Sequence, residues 1–181
     1  GCYTSYLTPQ GRMIADTWAY ELGDVALLSM SVEARDGVLA KLDQFIFTED
    51  VQLGDVTATF RGTGVAGPRA PEMVARALRI DRAALDRLPL HGNLRTTFQE
   101  QPAIVLRATD LGVDGYDVLV DVTETDALRA ALASSGAVPL DTATADSLRV
   151  EAGVPKFHVD MTEETIPLEA GARDHVEDAV G

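Results

Sequence analysis

The stretch AIVLRATDLGVDGYDVLVDVTETDALRAALASSG, residues 103–136, decides the fold class. Apolar runs at 103–109 and 116–121 flank LGVDG at 111–115, a pattern that predicts a β-hairpin. The segment that follows predicts a helix capped by Thr123 or Thr125 and closed by Gly136. A hairpin followed directly by a helix is therefore the unit from which we expect the fold to be built.

The same unit occurs earlier in the chain, at 17–46. TWAYELGDVALL at 17–28 places a turn at Gly23 and Asp24 between two apolar runs, and helical spacing follows from an N-cap at Ser31. Identity between the two copies is negligible, so the repeat is one of architecture. Together they predict an α+β fold: antiparallel sheets with repeated hairpin-helix units, and the helices on one sheet face.

The remaining segments give weaker patterns. The chain begins inside a predicted strand, and the glycine-rich stretch at 62–67 predicts a structural turn, because it lacks the Lys-Ser/Thr of a phosphate loop. The other predicted elements are a strand at 56–60, a helix at 71–80 with proline first, a short helix plus irregular connection at 81–101, and a helix at 142–153.

Composition excludes several classes of protein. The 181 residues carry 15 Lys and Arg against 29 Asp and Glu, a net charge of −14 that argues against direct nucleic-acid binding. No apolar run approaches the roughly 18 residues of a membrane span. The single cysteine excludes an internal disulfide framework and fits a reducing compartment, so we expect a cytoplasmic protein.

Metal and hydrolase chemistry are poorly supported. His91, His158 and His175 lie in separate segments without metal-ligand spacing, so we expect no metal site. No nucleophile-elbow motif is present. An acidic run at 160–169 predicts a solvated loop, with a cation site as the alternative.

Three segments carry a resemblance to a known family. They are YTSYLTPQGRMIADTWAY at 3–20, DGYDV at 114–118 and LRVEAGVPKFHVDMTEETIPLEAG at 148–171. In order and spacing they resemble the aminomethyltransferase superfamily, the folate-binding proteins that include the glycine cleavage T-protein. The QGRMIAD segment is more similar to the YgfZ branch. The resemblance implies an aminomethyltransferase folate-binding-domain-like fold and tetrahydrofolate, or a folate derivative, as the ligand.

The resemblance also implies that residues 1–181 are a folate-binding core, a fragment lacking the N-terminal strands and C-terminal barrel of the family. A subdivision into 1–60, 61–140 and 141–181 is expected, with the first and last parts packing together. The YgfZ signature cysteine follows the PLEAG segment in the family, so it is not assigned to Cys2.

Two acids have implied roles by the same resemblance. Asp16 matches the family's central, catalytic acid beside the reactive nitrogens of tetrahydrofolate, where a carboxylate orients an amine or accepts a proton. The alternative is a turn aspartate bound to backbone amides. Asp117 matches the acid that faces the pterin, whose paired N–H donors suit a carboxylate. Its alternative is an outward-facing, solvated side chain.

The other implied folate-binding residues are one basic and three aromatic side chains. Arg149 matches an arginine that holds a folate carbonyl or tail carboxylate, with a local ion pair as the alternative. Tyr3 and Tyr20 match tyrosines that line the pterin slot, although such aromatics are often core residues. Phe157 replaces a family tyrosine, and His158 replaces the glycine after it. We expect Asp16, Asp117 and Arg149 to converge around one flat slot.

Three functions follow as alternatives. The first is a non-catalytic tetrahydrofolate-binding protein of YgfZ type, with iron–sulfur assembly proteins as partners and links to tRNA modification. Arg12 and Ala15 motivate it, since they replace a glycine and an acid of the T-protein pattern. The second is an aminomethyltransferase of the glycine cleavage system, and the third is a ligand-free interaction module. A bacterial cytoplasm, or a mitochondrial matrix in a eukaryote, is the expected location.

Overall fold

The structure is a computed structural model, and it describes residues 1–167 and Glu169. Seven strands and five α-helices lie in this part of the chain, with a short 3₁₀ turn at Val122–Glu124. The strands are β1 Cys2–Leu7, β2 Met13–Glu21, β3 Ala26–Ser29, β4 Phe60–Ala66, β5 Asn93–Phe98, β6 Gln101–Ala108 and β7 Gly115–Asp121. The helices are α1 Val32–Asp43, α2 Ala70–Leu78, α3 Arg82–Asp86, α4 Thr125–Ser134 and α5 Thr142–Glu151.

The chain divides into two compact units. The first contains Gly1–Asp55 and the described residues from Pro155 onward, and the second is Val56–Val154. These divisions differ in position from the predicted boundaries at 60/61 and 140/141, and they place α5 in the second unit. The three-part subdivision stays a prediction.

The first unit is a three-stranded antiparallel sheet in the order β1-β2-β3. Its β2–β3 hairpin confirms the prediction at 17–28, and Gly23 takes a φ of +95° at the turn. Helix α1 covers one face, where Ala15 of β2 is buried against Ala34 and Val38. Ser31 stands at the N-cap as predicted, but its hydroxyl makes no capping hydrogen bond.

A one-residue bulge interrupts the pairing of β1 with β2. The paired residues are Tyr3↔Trp18, Thr4↔Thr17, Ser5↔Asp16, Tyr6↔Ala15 and Leu7↔Met13. Ile14 has no partner in this register, because the pairing passes from Ala15 directly to Met13. Paired residues point to the same face, so Met13 lies on the face of Asp16, whereas Ala15 lies on the face of α1.

The second unit is a four-stranded antiparallel sheet in the order β4-β7-β6-β5. Alternate residues of β7 point to one face and pack beneath α2 and α4. This core includes Val65, Val105, Val118, Val120, Val74, Leu78, Leu128 and Leu132. The predicted arrangement, antiparallel sheets with helices on one face, is confirmed in this unit.

Two sequence-based assignments are wrong. The strand expected at 56–60 lies instead at Phe60–Ala66, within the glycine-rich stretch that was expected to be a turn. Thr63 and Val65 alternate with Gly62 and Gly64, and the strand is at the sheet edge, where low strand propensity is tolerated.

The second correction concerns 81–101. Helix α3 confirms the short helix, but the irregular connection contains β5, which pairs with β6 along its whole length. The turn between these strands uses Gln99 and Glu100, both with positive φ, instead of the glycine or asparagine that marks such turns in sequence.

Candidate functional site

Tyr3 and Asp16 form a hydrogen-bonded pair on neighbouring strands. The Tyr3 hydroxyl donates to Asp16 Oδ2 across 3.2 Å. The Tyr3 ring also lies 4.6 Å from the Trp18 ring, centroid to centroid, at 55°. Because the cross-strand pairs place these side chains on one face, the sheet itself brings the acid and the two aromatic rings together.

The environment of this pair shifts both pKa values upward. Burial raises the pKa of the Asp16 carboxyl, and it is opposed by the Tyr3 hydrogen bond and by the charge of His158, both of which lower that pKa. Burial, followed by the Asp16 charge, raises the pKa of the Tyr3 hydroxyl. The Tyr3 hydroxyl therefore stays protonated and donates the hydrogen bond. The Asp16 carboxylate accepts it and binds a proton more readily than an exposed aspartate does.

The segment after Pro155 lies against the same face of this sheet. Met13 is buried with Phe157 and Met161, and its N–H donates to the Thr165 carbonyl across 3.1 Å. Phe157 is thus a core residue of this cluster, and its predicted contact with folate stays a prediction. Tyr20 is buried on β2, four residues beyond Asp16 and on the same face of the strand.

Asp117 occupies the middle of the second sheet, on the face opposite the helices. It stands between Gly64 of β4 and Leu106 of β6. Burial, with a smaller effect from the Asp110 charge, raises the pKa of Asp117 to about 6. Among the described residues none donates a hydrogen bond to this half-buried carboxylate.

Glycine at position 64 makes room for that carboxylate. A Cβ added to Gly64 would stand 3.2 Å from Asp117 Oδ1, closer than ordinary van der Waals contact. At Gly62, two residues along β4, an added Cβ would meet nothing within 4 Å. Glycine inside a strand often marks a place where a ligand approaches the backbone. The glycines of β4 leave space beside the Asp117 carboxylate, which has no hydrogen-bond donor among the described residues. A flat molecule with two adjacent N–H donors would fit such a place.

Arg149 lies near the end of α5, and local groups hold its guanidinium. Its Nε donates to Asp146 Oδ1 across 2.7 Å, and its Nη1 donates to the Val154 carbonyl across 3.1 Å. The side chain is almost fully buried. It therefore ties the helix to the turn after it, and a role in folate binding stays a prediction.

The structure brings some of the predicted site residues together within each unit. Tyr3 and Asp16 are in direct contact in the first unit, where Tyr20 and Phe157 also lie. Asp117 and Arg149 belong to the second unit. The predicted convergence of Asp16, Asp117 and Arg149 around one slot stays a prediction.

Sequence reasoning gave no functional role to Gly64 or His158. The sequence pattern that could have identified Gly64 as a strand residue is the alternation of glycine with Thr63 and Val65, which has the two-residue period of a strand. His158 has a φ of +64°, which is uncommon for residues other than glycine. The resemblance implies a glycine at this position in the family, and that was the sequence signal for the unusual backbone.

Two other features of the described residues bear on ligand binding. Residues 1–167 and Glu169 contain no group of three or more metal-ligating side chains, and His175 lies outside this range. A cleft of about 320 Å³ in the second unit is lined by Ala77, Leu78, Arg79, Phe98, Gln99 and Ala131. None of the predicted site residues lines it.

The fold agrees with what comparison with known proteins shows. Residues 1–177 match the family described as GCVT N-terminal domain, and the chain belongs to that family. The aminomethyltransferase of Rubrobacter xylanophilus is 30% identical over 169 residues, which cover 93% of this chain and 45% of that protein. The aminomethyltransferase of a Synechocystis species is 28% identical over 179 residues, with 93% and 46% covered.

A solved structure shows the same fold. The glycine cleavage system aminomethyltransferase T from Bartonella henselae superimposes with a TM-score of 0.77 at 22% identity, over 92% of this chain and 44% of that one. The α+β fold is thereby confirmed, and the match to the family model confirms the resemblance to the superfamily. This chain spans less than half the length of the relatives it matches.

None of the helices in the described part of the chain combines the length and apolar character that a bilayer crossing requires.

Proposed function

We propose that this chain is the folate-binding core of a tetrahydrofolate-binding protein, in which Asp117 accepts the paired N–H donors of the pterin. The observation that carries the proposal is the Asp117 carboxylate itself. It is half-buried, its burial raises its pKa, and it has no hydrogen-bond donor among the described residues, while Gly64 beside it lacks a side chain. The 2-amino group and N3–H of a pterin supply two parallel donors of the kind a carboxylate accepts.

Binding of this kind has a proton signature. In the free protein the pKa of Asp117 is raised to about 6. Hydrogen bonds from a ligand favour the charged form of a carboxylate, so the pKa falls when the pterin binds. Near pH 6 the protein therefore releases a proton as tetrahydrofolate enters.

Asp16 and Tyr3 are the second part of the proposal. The Tyr3 hydrogen bond orients the Asp16 carboxylate through Oδ2, and in the proposal Oδ1 meets an amine of the ligand. This suits contact with the reactive nitrogens of tetrahydrofolate. Folate contacts by Tyr20, Phe157 and Arg149 are further, separate parts of the proposal.

Within this family we favour the YgfZ type, a cytoplasmic protein that assists iron–sulfur protein assembly or maintenance and is linked to tRNA modification. Two substitutions support it. Ala15 is fully buried against α1, so that position cannot hold a solvated acid, and Arg12 bonds through Nη1 to the Glu164 carbonyl. The names of the relatives support the alternative, an aminomethyltransferase that transfers a one-carbon unit to tetrahydrofolate.

Calorimetric titration of tetrahydrofolate into the full chain tests the proposal. Asp117→Asn keeps the shape of the side chain and removes its charge, so affinity should fall about 10- to 100-fold. At pH 6, repeating the titration in buffers of different ionisation enthalpy should reveal proton release in the wild type and none in the variant. Equal affinities for both proteins would refute the pterin site.

A pair of glycine variants gives a matched control. Gly64→Ala places a methyl group against Asp117, whereas Gly62→Ala places one in open space on the same strand. Only the first should weaken tetrahydrofolate binding. Equal effects would show that the strand's backbone, and not the space beside the acid, determines affinity.

Turnover separates the two finer functions. An aminomethylated lipoyl carrier is supplied with tetrahydrofolate and the protein, and methylenetetrahydrofolate is measured. Product formation that is lost in Asp16→Asn would establish the transferase. Tight folate binding without turnover, together with reduced iron–sulfur enzyme activity in cells lacking the protein, would establish the YgfZ type.

A further inference from the structure

The cleft in the second unit lies where the end of α2, the turn between β5 and β6, and α4 come together. Its volume of about 320 Å³ falls at the lower end of the range of small-molecule sites. Among its lining residues Ala77, Leu78 and Phe98 belong to the buried core, and Ala131 packs against that core. Because close-packed core side chains are held in place by their neighbours, this part of the cleft is an apolar wall of fixed shape.

The two polar residues of the cleft, Arg79 and Gln99, both have a left-handed backbone. Arg79 ends α2 with a φ of +57° and a ψ of +41°, at a position that helices usually give to glycine. Gln99 has a φ of +49° in the two-residue turn it forms with Glu100, where asparagine and glycine are preferred. Long polar side chains thus occupy two glycine-favouring positions at one cleft, and such unfavourable backbones cluster at binding sites.

Arg79 has no carboxylate partner, unlike the arginines on either side of it. Arg76 Nη1 lies 3.7 Å from Glu72 Oε1, and Arg82 Nε lies 3.2 Å from Asp86 Oδ2. In the part of the chain that the structure describes, no carboxylate pairs with Arg79. The cleft therefore combines an apolar wall with a guanidinium whose charge no acid neutralises.

We propose that this cleft binds a small carboxylate with an apolar body, in a site separate from the residues of the proposed function. The guanidinium of Arg79 offers two parallel N–H donors to the carboxylate, and the Gln99 carboxamide can donate another. The apolar body packs against Leu78 and Phe98. One guanidinium matches a singly charged carboxylate better than a doubly charged phosphate, which would need further cations.

The local charge supports an anionic ligand. Residues 76–87 carry four arginines against two aspartates, although the chain as a whole has a net charge of −14. Interactions between exposed charges fade beyond about 10 Å in physiological salt, so the nearby arginines act on the cleft more strongly than distant acids do. A neutral molecule of the same shape leaves the Arg79 guanidinium without a partner and should bind more weakly.

Fluorine NMR of para-trifluoromethylbenzoate mixed with the full chain tests the proposal, and para-trifluoromethylbenzamide is the neutral counterpart. For a ligand of this size we expect a Kd of about 0.1 to 1 mM for the benzoate. The benzamide should bind about 10-fold more weakly, because it lacks the charge-assisted hydrogen bonds. Absence of benzoate binding up to about 10 mM would overturn the proposal, and so would equal affinities of the two probes.

Substitutions on the two helices give matched controls. Arg79→Gln keeps a long polar side chain and removes its charge, so benzoate affinity should fall about 10-fold. Arg76→Gln removes the same charge one turn earlier, at a residue that does not line the cleft, and should change affinity less than about two-fold. Ala131→Leu fills part of the cleft and should weaken both probes. Melting curves verify that each variant is folded.

The order of the variants separates this site from a general attraction of anions. Equal losses in Arg79→Gln and Arg76→Gln would overturn the proposal, because the benzoate would then follow the charge of the helix. Unchanged affinity in folded Ala131→Leu would also overturn it, because the probe would then lie outside the cleft. Asp117→Asn should leave benzoate binding unchanged, so the result is independent of the tetrahydrofolate site; a loss there as large as in Arg79→Gln would place the probe at Asp117 and refute the cleft.

Discussion

Replacing Asp117 by asparagine should stabilise the protein at neutral and alkaline pH. The pKa of Asp117 is raised from 3.8 to about 6, so between these values the folded state binds more protons than the unfolded state. For an acid shifted in this direction, the stability of the wild type falls as pH rises from about 4 to about 6. Asparagine does not ionise, so the stability of the variant does not fall through this group as the pH rises.

The size of the effect follows from the shift. The rise of the Asp117 pKa from 3.8 to about 6, at about 1.36 kcal/mol for each pH unit, corresponds to at most about 3 kcal/mol at pH 8. Below about pH 4, where the carboxyl is protonated in both states, the difference between the two proteins should vanish. The stabilisation is therefore conditional on pH, unlike that of an improved packing contact.

Urea unfolding of both proteins at pH 4, 6 and 8 measures the difference directly. We expect the asparagine variant to be more stable at pH 8 and equal to the wild type at pH 4, with the same dependence on urea concentration. A difference of the same size at all three pH values would refute the reasoning, because it could not arise from ionisation. Lower stability of the variant at pH 8 would show that the carboxylate is better solvated than its position suggests.

Three further predictions concern stability and are measured by the same unfolding assay. Ser31→Ala should leave the free energy of unfolding nearly unchanged, whereas Asp141→Ala should lower it, since of these two N-cap residues only Asp141 makes a capping hydrogen bond. Arg149→Lys should lower the free energy of unfolding by about 1 to 2 kcal/mol, because lysine cannot make both hydrogen bonds of the guanidinium. An unchanged midpoint of urea unfolding would contradict a stabilising role for these two hydrogen bonds. Gly112→Ala should destabilise the protein far more than Gly153→Ala: both have left-handed backbones, but only at Gly112 would the added methyl collide with the end of α5.

Much of the fold was predictable because, in its periodic segments, the local sequence pattern and the turn and cap residues indicate the same structure. The hairpin at Gly23 and the helix closed by Gly136 carry turn and cap residues where the backbone needs them. The strand at Phe60–Ala66 was missed because the pattern that forms it alternates glycine with β-branched residues, and glycine alone indicates a turn. Strand β5 was missed because its turn has no glycine, and pairing with β6 holds it in place.

The site was less predictable than the fold. Asp16 and Asp117 came from resemblance, and the structure adds what no sequence pattern contains: the partner of one carboxylate, the lack of one for the other among the described residues, and the burial that raises both pKa values. Those properties depend on cross-strand neighbours far apart in the chain. Arg149 shows the opposite case, since its local partners could have been anticipated from the acid three residues before it.

The unpaired Ile14 allows a single strand to serve two apolar clusters on opposite sides of one sheet. Inserting one residue between Tyr6 and Leu7 would give Ile14 a partner, restore strict alternation along β2 and turn Met13 toward α1. Phe157 and Met161 would then lose their anchor, and the segment carrying His158 would detach from the sheet while both strands remained paired. A change of one amino acid in length could thus separate this segment from the sheet without altering any residue of either.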